Sequence, residues 1–314
     1  MDWVTPAELF RGTGVTSIMD GLLRKARKAA GVKEAWEREP QREHPGHWGP
    51  ESLSAVLSGR RVLVTGASKG IGEQIAYHYA RFGSQIVITA RTESALKKVA
   101  EKCLQLGSPK VWYIPADMSD PEDPNRVLRF ALDKLGGIDY LVLNHIGNTF
   151  FQMWNGDVEH IRVLMQANFL SYAQMASSGL PFLKQSNGSI IAVSSILAKI
   201  PSPFTIPYTA TKSAVNGFFG SLQHELSMQK VNVSITLCTL GLIDTETALS
   251  KVKGVIDTMS AYPASGAALE IIKGGATRQK EIFYPWYWQL VCAIRDWFPG
   301  YRDSVIQSSY KYNP

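Results

Sequence analysis

Cysteine is scarce in this chain of 314 residues, and the cysteines that occur lie far apart. Cys103, Cys238 and Cys292 are odd in number and form neither a CxxC pair nor a cluster with histidine. Disulfide-rich domains and structural zinc sites need cysteines at short, regular spacings. The sequence therefore argues against a disulfide framework and against a metal site, and it favours reduced cysteines that pack in the interior.

Long apolar runs are also missing. The amino-terminal segment MDWVTPAELFRGTG lacks the basic and apolar regions of a secretory signal. The nearest approach to a membrane span is 282–294, which is too short and contains Pro285 and Gln289. The net charge is only +6, and no run of Arg or Lys alternates with aromatic residues. We therefore expect neither a membrane span nor a nucleic-acid partner.

The first 57 residues differ in pattern from the rest and are predicted to form an extension, residues 1–57. Apolar residues recur at helical spacing over 15–26, beside a basic stretch at 24–28. A polar, proline-containing stretch at 33–51 follows and is interpreted as a linker. We favour a small helix packed on the domain, or a frayed tail. The alternative is an element that binds a membrane surface or a partner.

From residue 58 onward, short apolar runs alternate with helical patterns. The runs RVLVTG, QIVITA, VWYIPAD, YLVLNHI, SIIAVSS and VNVSITLCTLG are strand candidates. Helical patterns lie near 71–82, 93–106, 122–135, 158–184 and 208–228. This alternation predicts a doubly wound α/β domain over 58–285, with a mostly parallel sheet and helices on both faces. We expect a seven-stranded sheet, which has one strand more than these six candidates. An aromatic-rich segment, residues 286–314, follows it.

A glycine-rich loop connects the first predicted strand to the first helix of this domain. It reads TGASKGIG, and it places backbone N–H groups and a helix N-terminus where an anion can bind. Gly66 permits the tight turn, Gly70 lets a pyrophosphate approach the backbone, and Gly72 lets helix and strand pack closely. Glycine turns are common, but this one lies inside a complete βαβ unit. It therefore predicts a Rossmann-type dinucleotide site, with Ser68 and Ile71 completing the loop.

An acidic residue is missing at the end of the second strand, where an NAD site usually has one to hold the ribose hydroxyls. That strand ends Thr89-Ala90-Arg91, and Lys69 of the glycine loop can reach the same place. Two cations without a carboxylate suit a 2′-phosphate, which accepts charge-assisted hydrogen bonds. The sequence therefore favours NADP(H) over NAD(H), the alternative being two solvated surface cations.

The segment YTATK places Tyr208 and Lys212 one helical turn apart, on the same face of a helix. Reduction of a carbonyl requires a proton, and a phenol near an ammonium group releases its proton more readily. Ser195 ends the preceding strand, where its hydroxyl can polarise a carbonyl. The pattern is common on helix surfaces by itself. Together with the glycine loop it predicts a catalytic group of Ser195, Tyr208 and Lys212, rather than an unrelated surface pair.

These motifs resemble the short-chain dehydrogenase/reductase family, and within it the 11β-hydroxysteroid dehydrogenase type 1 group. TGASKGIG, NHIG, the SS pair and YxxxK carry the wider resemblance. The closer one rests on LVLNHI, NFLSY, LKQSNGSI, NVSITLC and LGLIDTETA, and it covers about 58–297. It implies an NADP(H)-dependent oxidoreductase that acts on a carbonyl or secondary alcohol, with steroids as the first expectation. The alternatives are the same chemistry on retinoid, lipid or xenobiotic carbonyls, and a non-catalytic NADP(H)-binding protein that acts through partners.

The resemblance also implies further site residues. Asn168 would be a fourth catalytic residue, which supports a proton path through Lys212. His145 stands where the wider family has alanine, and we expect it to pack rather than to titrate. The other implied contacts are Asp117 and Met118 at the adenine, Asn144, His145 and Ile146 under the adenosine ribose, and residues 243–247, including Ile243, Thr245 and Thr247, over the nicotinamide and phosphates.

Two departures from this group affect location and substrate. The group has an amino-terminal membrane anchor and a luminal domain, which would be glycosylated at Asn187 and Asn232 here, whereas this chain has a polar extension. We therefore expect association with the endoplasmic reticulum without a membrane span, the alternative being a cytoplasmic enzyme. Ser202 replaces an aromatic residue of the steroid enzymes.

The aromatic stretch at 283–298 is predicted to meet a membrane surface or a homodimer partner, unless it completes the core.

Overall fold

One central sheet of seven parallel strands organises the chain. The computed structural model describes residues 49–256 and 260–310, so the predicted amphipathic helix and most of the polar stretch lie outside the described residues. The strands are β1 Arg61–Thr65, β2 Gln85–Ala90, β3 Val111–Pro115, β4 Tyr140–Leu143, β5 Ser189–Val193, β6 Ser234–Leu240 and β7 Glu281–Tyr284.

The strand order is β3-β2-β1-β4-β5-β6-β7, and every neighbouring pair is parallel. The central strands are apolar along their whole length because helices cover both of their faces. The order reverses between β1 and β4, and a crevice opens there at the carboxyl ends of the strands. The doubly wound fold predicted from the sequence is confirmed. The strand β7 was not among the strand candidates, because its residues begin the aromatic stretch.

Alternate residues of each strand contribute to two separate apolar layers. Val62 and Val64 face one layer, while Leu63 faces the other. The first layer is covered by Pro50–Leu57, Gly70–Arg81, Glu93–Gln105 and Ala264–Ala276. The second is covered by Asp123–Leu135, Ser171–Ser186 and Ile206–Met228, and the helix Val158–Met165 precedes the second of these. Among the described helices, none has the length and apolar character needed to cross a bilayer.

Several short elements follow the carboxyl ends of β5, β6 and β7 and therefore lie around the crevice. They are the 3-10 turn Ile196–Ala198, a two-residue ladder of Ile243–Asp244 with Tyr262–Pro263, and the helices Glu246–Val252, Trp288–Ile294 and Pro299–Ser308. The last two helices belong to the predicted segment 286–314. The domain boundaries given by the sequence remain a proposal.

The helix Pro50–Leu57 lies in the predicted extension, yet its apolar face packs on the domain. Leu53 and Leu57 are 1% and 0% exposed and belong to the first apolar layer. The hydroxyl of Ser84 donates to the carbonyl of Leu57 at 2.8 Å, which ties the end of this helix to the turn before β2. The helix is therefore part of the packed core rather than of a linker.

Replacement of Leu57 by alanine tests that conclusion. Leu57→Ala leaves a cavity in the first layer and is expected to lower the free energy of unfolding by about 2–4 kcal/mol, measured by urea denaturation. Val56→Ala removes methyl groups from the half-buried face of the same helix and should cost less than about 1 kcal/mol. Equal effects of the two changes would mean that the helix contributes no core packing.

Candidate active site

A single large cavity of about 880 Å³ occupies the crevice at the carboxyl ends of the strands. Its wall contains Ser195, Tyr208 and Lys212 and every residue that the sequence assigned to the cofactor except Gly72. Gly72 and Asn168 lie behind the wall, where they hold other residues in place. The structure therefore brings the two predicted groups, one for a dinucleotide and one for catalysis, into one continuous space.

The glycine loop leaves no room for side chains on its inner face. A Cβ atom at Gly66 would lie 2.7 Å from the Cα of His145, and one at Gly72 would lie 2.2 Å from the carbonyl oxygen of Gly66. Gly66 and Gly70 also have φ angles of 66° and 63°, which favour glycine. Because these glycines have no side chains, the loop packs closely against its neighbours, and the backbone at Gly66 and Gly70 faces the cavity. The loop therefore fits a pyrophosphate, as its sequence predicts.

A hydroxyl group fastens the glycine loop to the loop after β4. Thr65 accepts hydrogen bonds from the backbone N–H of Asn144 at 2.9 Å and donates to the carbonyl of Val142 at 3.1 Å. The Asn144 amide donates back to the carbonyls of Thr65 and Gly66. Asn144 therefore holds the loop after β4 against the glycine loop. The resemblance places the adenosine ribose over Asn144 and its neighbours.

His145 is 7% exposed, and both ring nitrogens have hydroxyl partners. Nδ1 lies 2.8 Å from Thr65 Oγ1, and Nε2 lies 2.7 Å from Ser171 Oγ. Burial, together with the charge of Lys212, lowers the pKa of His145 to about 3. His145 is therefore neutral at physiological pH and serves packing, as the sequence analysis expected. The exposed side chain of Ile146 continues the cavity wall beside it.

The residues predicted at the adenine and at the phosphates lie around the rest of this half of the cavity. Asp117 is exposed and holds the following turn through Ser119, while the side chain of Met118 is buried. Thr245 caps the helix Glu246–Val252 by accepting from the N–H of Ala248 at 3.2 Å. Its methyl group lies 3.1 Å from where a Gly70 Cβ would stand, so the segment 243–247 closes over the glycine loop.

The catalytic candidates converge at the other half. Tyr208 and Lys212 lie on the helix Ile206–Met228, and the Lys212 ammonium is 6.0 Å from the centre of the Tyr208 ring. Lys212 is 1% exposed and donates to the carbonyl of Val193 at 2.7 Å. Ser195, the residue that caps the turn Ile196–Ala198, faces the same cavity. A helix and a strand end therefore present the hydroxyl, phenol and ammonium groups to one space.

Asn168 lies on a π-helical turn, Gln166–Leu170, that interrupts the predicted helix 158–184. Its Oδ1 accepts from the N–H of Gly147 at 2.6 Å, and its Nδ2 donates to Thr211 Oγ1 at 3.1 Å. The side chain thus ties the loop after β4 to the helix that carries Lys212. Its contribution to a proton path remains a prediction.

Comparisons with known proteins agree with this geometry. The family model for short chain dehydrogenases matches residues 60–255, which is more than half of the chain. The chain belongs to the short-chain dehydrogenase family. Members of this family are oxidoreductases, so the non-catalytic alternative is not favoured.

Curated relatives of this dehydrogenase are similar over most of its length. The hydroxysteroid 11-beta-dehydrogenase 1-like protein of Danio rerio is 61% identical over 84% of this chain and 92% of the relative. Its Gallus gallus counterpart is 60% identical over 82% of this chain and 88% of the relative. The family resemblance inferred from the motifs is therefore confirmed.

Solved structures share the fold. L-Sorbose reductase from Gluconobacter frateurii, complexed with NADPH and L-sorbose, is 23% identical over 72% of this chain and 95% of its own, with a TM-score of 0.65. A short-chain dehydrogenase from Burkholderia cenocepacia in complex with NADP is 23% identical over 72% of this chain and 95% of its own, with a TM-score of 0.62. At these identities the likeness supports the fold alone.

Burial controls the protonation of the dehydrogenase site. It raises the pKa of Tyr208 to about 12, although hydrogen bonding with Ser195 opposes the rise. Desolvation lowers the pKa of Lys212 to about 7. From the sequence we expected the ammonium to favour the phenolate. Desolvation instead sets the direction of the Tyr208 pKa shift in this structure.

Two parts of the cavity wall were not predicted from the sequence. Lys251 lines the dinucleotide half, although no motif includes it. The helices Trp288–Ile294 and Pro299–Ser308 supply an apolar wall beside Tyr208. Their aromatic content was noted, but spacing along the sequence cannot show that they fold back over the end of β5.

The buried ammonium leads to a prediction about stability and pH. The lowered pKa of Lys212 means that the folded protein binds fewer protons than the unfolded chain between about pH 7 and about pH 10.4. The cost of burying the cation is therefore complete below about pH 7 and decreases as pH rises above it. Lys212→Met removes this cost.

We expect Lys212→Met to abolish turnover but to raise the free energy of unfolding at about pH 6, with a gain that shrinks toward about pH 9. Urea denaturation across this range measures the effect, and Lys253→Met, at an exposed position, is the control. A gain that does not depend on pH would contradict the assignment of the titration to Lys212.

Proposed function

We propose that this short-chain dehydrogenase uses NADP(H) to interconvert a carbonyl group and a secondary alcohol on a steroid or a similar apolar molecule. One observation carries the proposal. A single cavity joins a glycine loop flanked by cations to Ser195, Tyr208 and Lys212, and then continues between apolar side chains. The solved relatives named above that contain NADP or NADPH support the choice of cofactor.

The dinucleotide half of the cavity suits NADP(H) in shape and charge. The loop backbone around Gly66 and Gly70 would hold the pyrophosphate, and Lys69 and Arg91 would hold the 2′-phosphate. Asp117 and Met118 would contact the adenine, while Asn144 and Ile146 would lie under the ribose. When bound, the reduced cofactor supplies the hydride that the carbonyl carbon accepts.

Three side chains of this chain manage the proton and the developing negative charge. The Ser195 hydroxyl donates a hydrogen bond to the carbonyl oxygen and polarises it. The Tyr208 phenol donates its proton to that oxygen as the alcohol forms, and it takes the proton back in the reverse direction. The ammonium of Lys212 lies near the Tyr208 ring and favours the phenolate, and it can hold the nicotinamide ribose. Asn168 positions the helix that carries Lys212.

The apolar half of the cavity indicates the substrate class. The wall beside Tyr208 includes two arginines, Arg295 and Arg302, which pair with Asp296 and Asp303. Its apolar side chains are those of Phe151, Ile200, Trp288, Val291, Ile294, Phe298, Val305, Ile306 and Tyr310. Such a wall favours a rigid, largely apolar ligand over a sugar or an acid. The relatives named as hydroxysteroid dehydrogenase-like proteins support a steroid as the first candidate.

The aromatic side chain of Tyr310 lies beside Ser202 in the loop before Tyr208. Ser202 replaces the aromatic residue expected from the steroid enzymes. Burial raises the pKa of Tyr310, and hydrogen bonding with Ser202 opposes this rise. The Tyr310 ring stacks on Phe204 with centroids 6.0 Å apart. The carboxyl-terminal segment therefore supplies an aromatic side chain beside position 202, which supports binding of a flat, apolar ring system.

The cofactor and substrate proposals are tested together with purified protein. A panel of steroid, retinoid and simple aromatic ketones is incubated with NADPH or NADH, and cofactor consumption is followed by absorbance. We expect turnover with NADPH and an apolar ketone, and weaker turnover with NADH. Turnover confined to sugars, or equal rates with the two cofactors, would contradict it.

Removal of the Tyr208 hydroxyl tests the chemistry. Tyr208→Phe keeps the ring but removes the proton, so turnover should fall by at least about a hundredfold, while NADPH affinity measured by fluorescence changes less than about threefold. Tyr77→Phe, whose hydroxyl donates to Glu73 at the Gly70–Arg81 helix, is the matched control and should retain activity. Substantial activity in Tyr208→Phe would mean that another group supplies the proton.

We also propose that the carboxyl-terminal segment places the enzyme on the membrane of the endoplasmic reticulum, or in a homodimer, beside the substrate entrance. Part of the segment completes the core, since Trp288 is 4% exposed and packs with Ile196 and Ile200. Other side chains remain in contact with solvent, with Trp297 73% and Leu290 49% exposed. Exposed aromatic and aliphatic groups of this size favour an interface.

The predicted glycosylation sites lie at the opposite end of the sheet. Asn187 and Asn232 are exposed and precede β5 and β6, and Arg278 donates to the backbone carbonyl of each. Glycans there would not cover the cavity. Their presence or absence therefore reports which side of the membrane the domain occupies, without an effect on the site.

Expression in cells tests both location proposals. We expect the enzyme in the membrane fraction, released by alkaline carbonate, with no mobility shift after endoglycosidase treatment, because we propose a peripheral attachment without translocation. Trp297→Ser combined with Leu290→Ser should move it to the supernatant or change its sedimentation from dimer to monomer. A mobility shift that Asn187→Gln and Asn232→Gln abolish would show a luminal domain. An unchanged distribution and sedimentation of the double variant would contradict the interface.

A further inference from the structure

Lys251 is a half-buried cation in the dinucleotide half of the cavity that no motif explains. It lies in the last turn of the helix Glu246–Val252, whose first residues close over the glycine loop. It lines the same cavity as Lys69 and Arg91, which come from two other elements of the fold. Three elements that are far apart in sequence therefore each bring one cation to the same region.

These three cations have no negative partner in the part of the chain that the structure describes. None of them forms an ion pair or donates a side-chain hydrogen bond within residues 49–256 and 260–310. Lys199 and Lys273, by contrast, pair with glutamates at 3.1 and 2.8 Å. The cavity wall also contains the carboxylates of Glu73, Asp117 and Glu246. Glu73 and Asp117 accept hydrogen bonds from Tyr77 and Ser119, and none of the three acids forms an ion pair with these cations within the described residues. The three cations therefore remain without an ion pair in this part of the chain.

Lys251 experiences this surplus directly. Burial lowers the pKa of Lys251 to about 8, and the positive charges of Lys69 and Arg91 lower it further in the same direction. A lysine that is partly desolvated and close to two like charges destabilises the folded protein unless an anion compensates. No carboxylate among the described residues pairs with Lys251, so the phosphate of a ligand can supply the compensating anion.

We propose that Lys251 binds the 2′-phosphate of NADP(H) together with Lys69 and Arg91, and that it is a determinant of specificity for NADP(H) over NAD(H). Lys69 and Arg91 approach from the glycine loop and from the end of β2, and Lys251 approaches from the segment that closes over the glycine loop. A phosphate with two negative charges and three acceptor oxygens can receive hydrogen bonds from all three. The pyrophosphate is served by loop backbone groups and does not need this lysine.

Replacement of Lys251 by methionine tests the proposal, because methionine keeps an aliphatic stem and removes the charge. Dissociation constants for NADPH and NADH are measured by fluorescence on the same purified sample. We expect Lys251→Met to weaken NADPH about tenfold, or about 1.4 kcal/mol, and NADH less than about twofold. Lys253→Met changes an exposed lysine just after the same helix and should leave both constants unchanged.

A second pair of probes isolates the phosphate itself. Calorimetric titration with 2′,5′-ADP and with AMP should show the same selective loss in Lys251→Met, since these fragments differ only in the 2′-phosphate. Lys251→Arg should restore most of the affinity, and Lys251→Glu should weaken NADPH further while sparing NADH. The melting temperature without ligand should not fall in Lys251→Met, because the change removes repulsion.

The outcomes separate this inference from the function on which it rests. If the wild-type protein binds neither NADPH nor 2′,5′-ADP, the proposed function fails. If it prefers NADPH and Lys251→Met leaves the ratio of the two dissociation constants unchanged, only the role of Lys251 fails. Equal weakening of NADPH and NADH would assign the lysine to the pyrophosphate and would also overturn the proposal. The ratio does not depend on the fraction of folded protein, since both dinucleotides are titrated into one sample.

Discussion

The close contact between the loop after β1 and the loop after β4 is the constraint on which the site depends. Gly66 can lie against His145 only because it has no side chain, and the Thr65 hydroxyl locks the two loops together. The contact extends further, because the Tyr172 hydroxyl donates to the carbonyl of His145 and lies 3.5 Å from the ammonium of Lys212. The same packing therefore shapes the cradle for the dinucleotide and places the cation of the catalytic group.

The sequence predicted those parts of the fold that depend on local chemistry. Apolar runs that alternate with amphipathic stretches predict a parallel sheet because both faces must be covered, and the glycine spacing around Gly66 reports a backbone requirement. Features set by tertiary contacts were not predictable. The strand β7 has only Ile282 buried, so it lacks a strand signal. Lys251 resembles any helix-surface lysine until the fold brings Lys69 and Arg91 beside it.

The charges within the cavity suit a bound anionic ligand. At the dinucleotide half, cations lie near each other without carboxylate partners in the described part of the chain, and at the catalytic half Lys212 is buried with a pKa of about 7 while that of Tyr208 is about 12. Neither arrangement stabilises the folded protein by itself. Lys69, Arg91 and the glycine loop would hold the phosphates of a dinucleotide, whose negative charge would offset these cations. An oxidised nicotinamide held near Tyr208 and Lys212 would add positive charge, which favours the phenolate.

The proposed catalytic group and the proposed substrate wall lie in different parts of the chain. Ser195, Tyr208 and Lys212 are held by β5 and by a long helix of the central layers, where a displaced group would disturb the core. The substrate wall comes largely from the helices Trp288–Ile294 and Pro299–Ser308, which pack in a small separate cluster. A change in that cluster alters the shape of the cavity with little cost to the sheet. The segment 286–314 is therefore where differences in substrate between this enzyme and its relatives should arise.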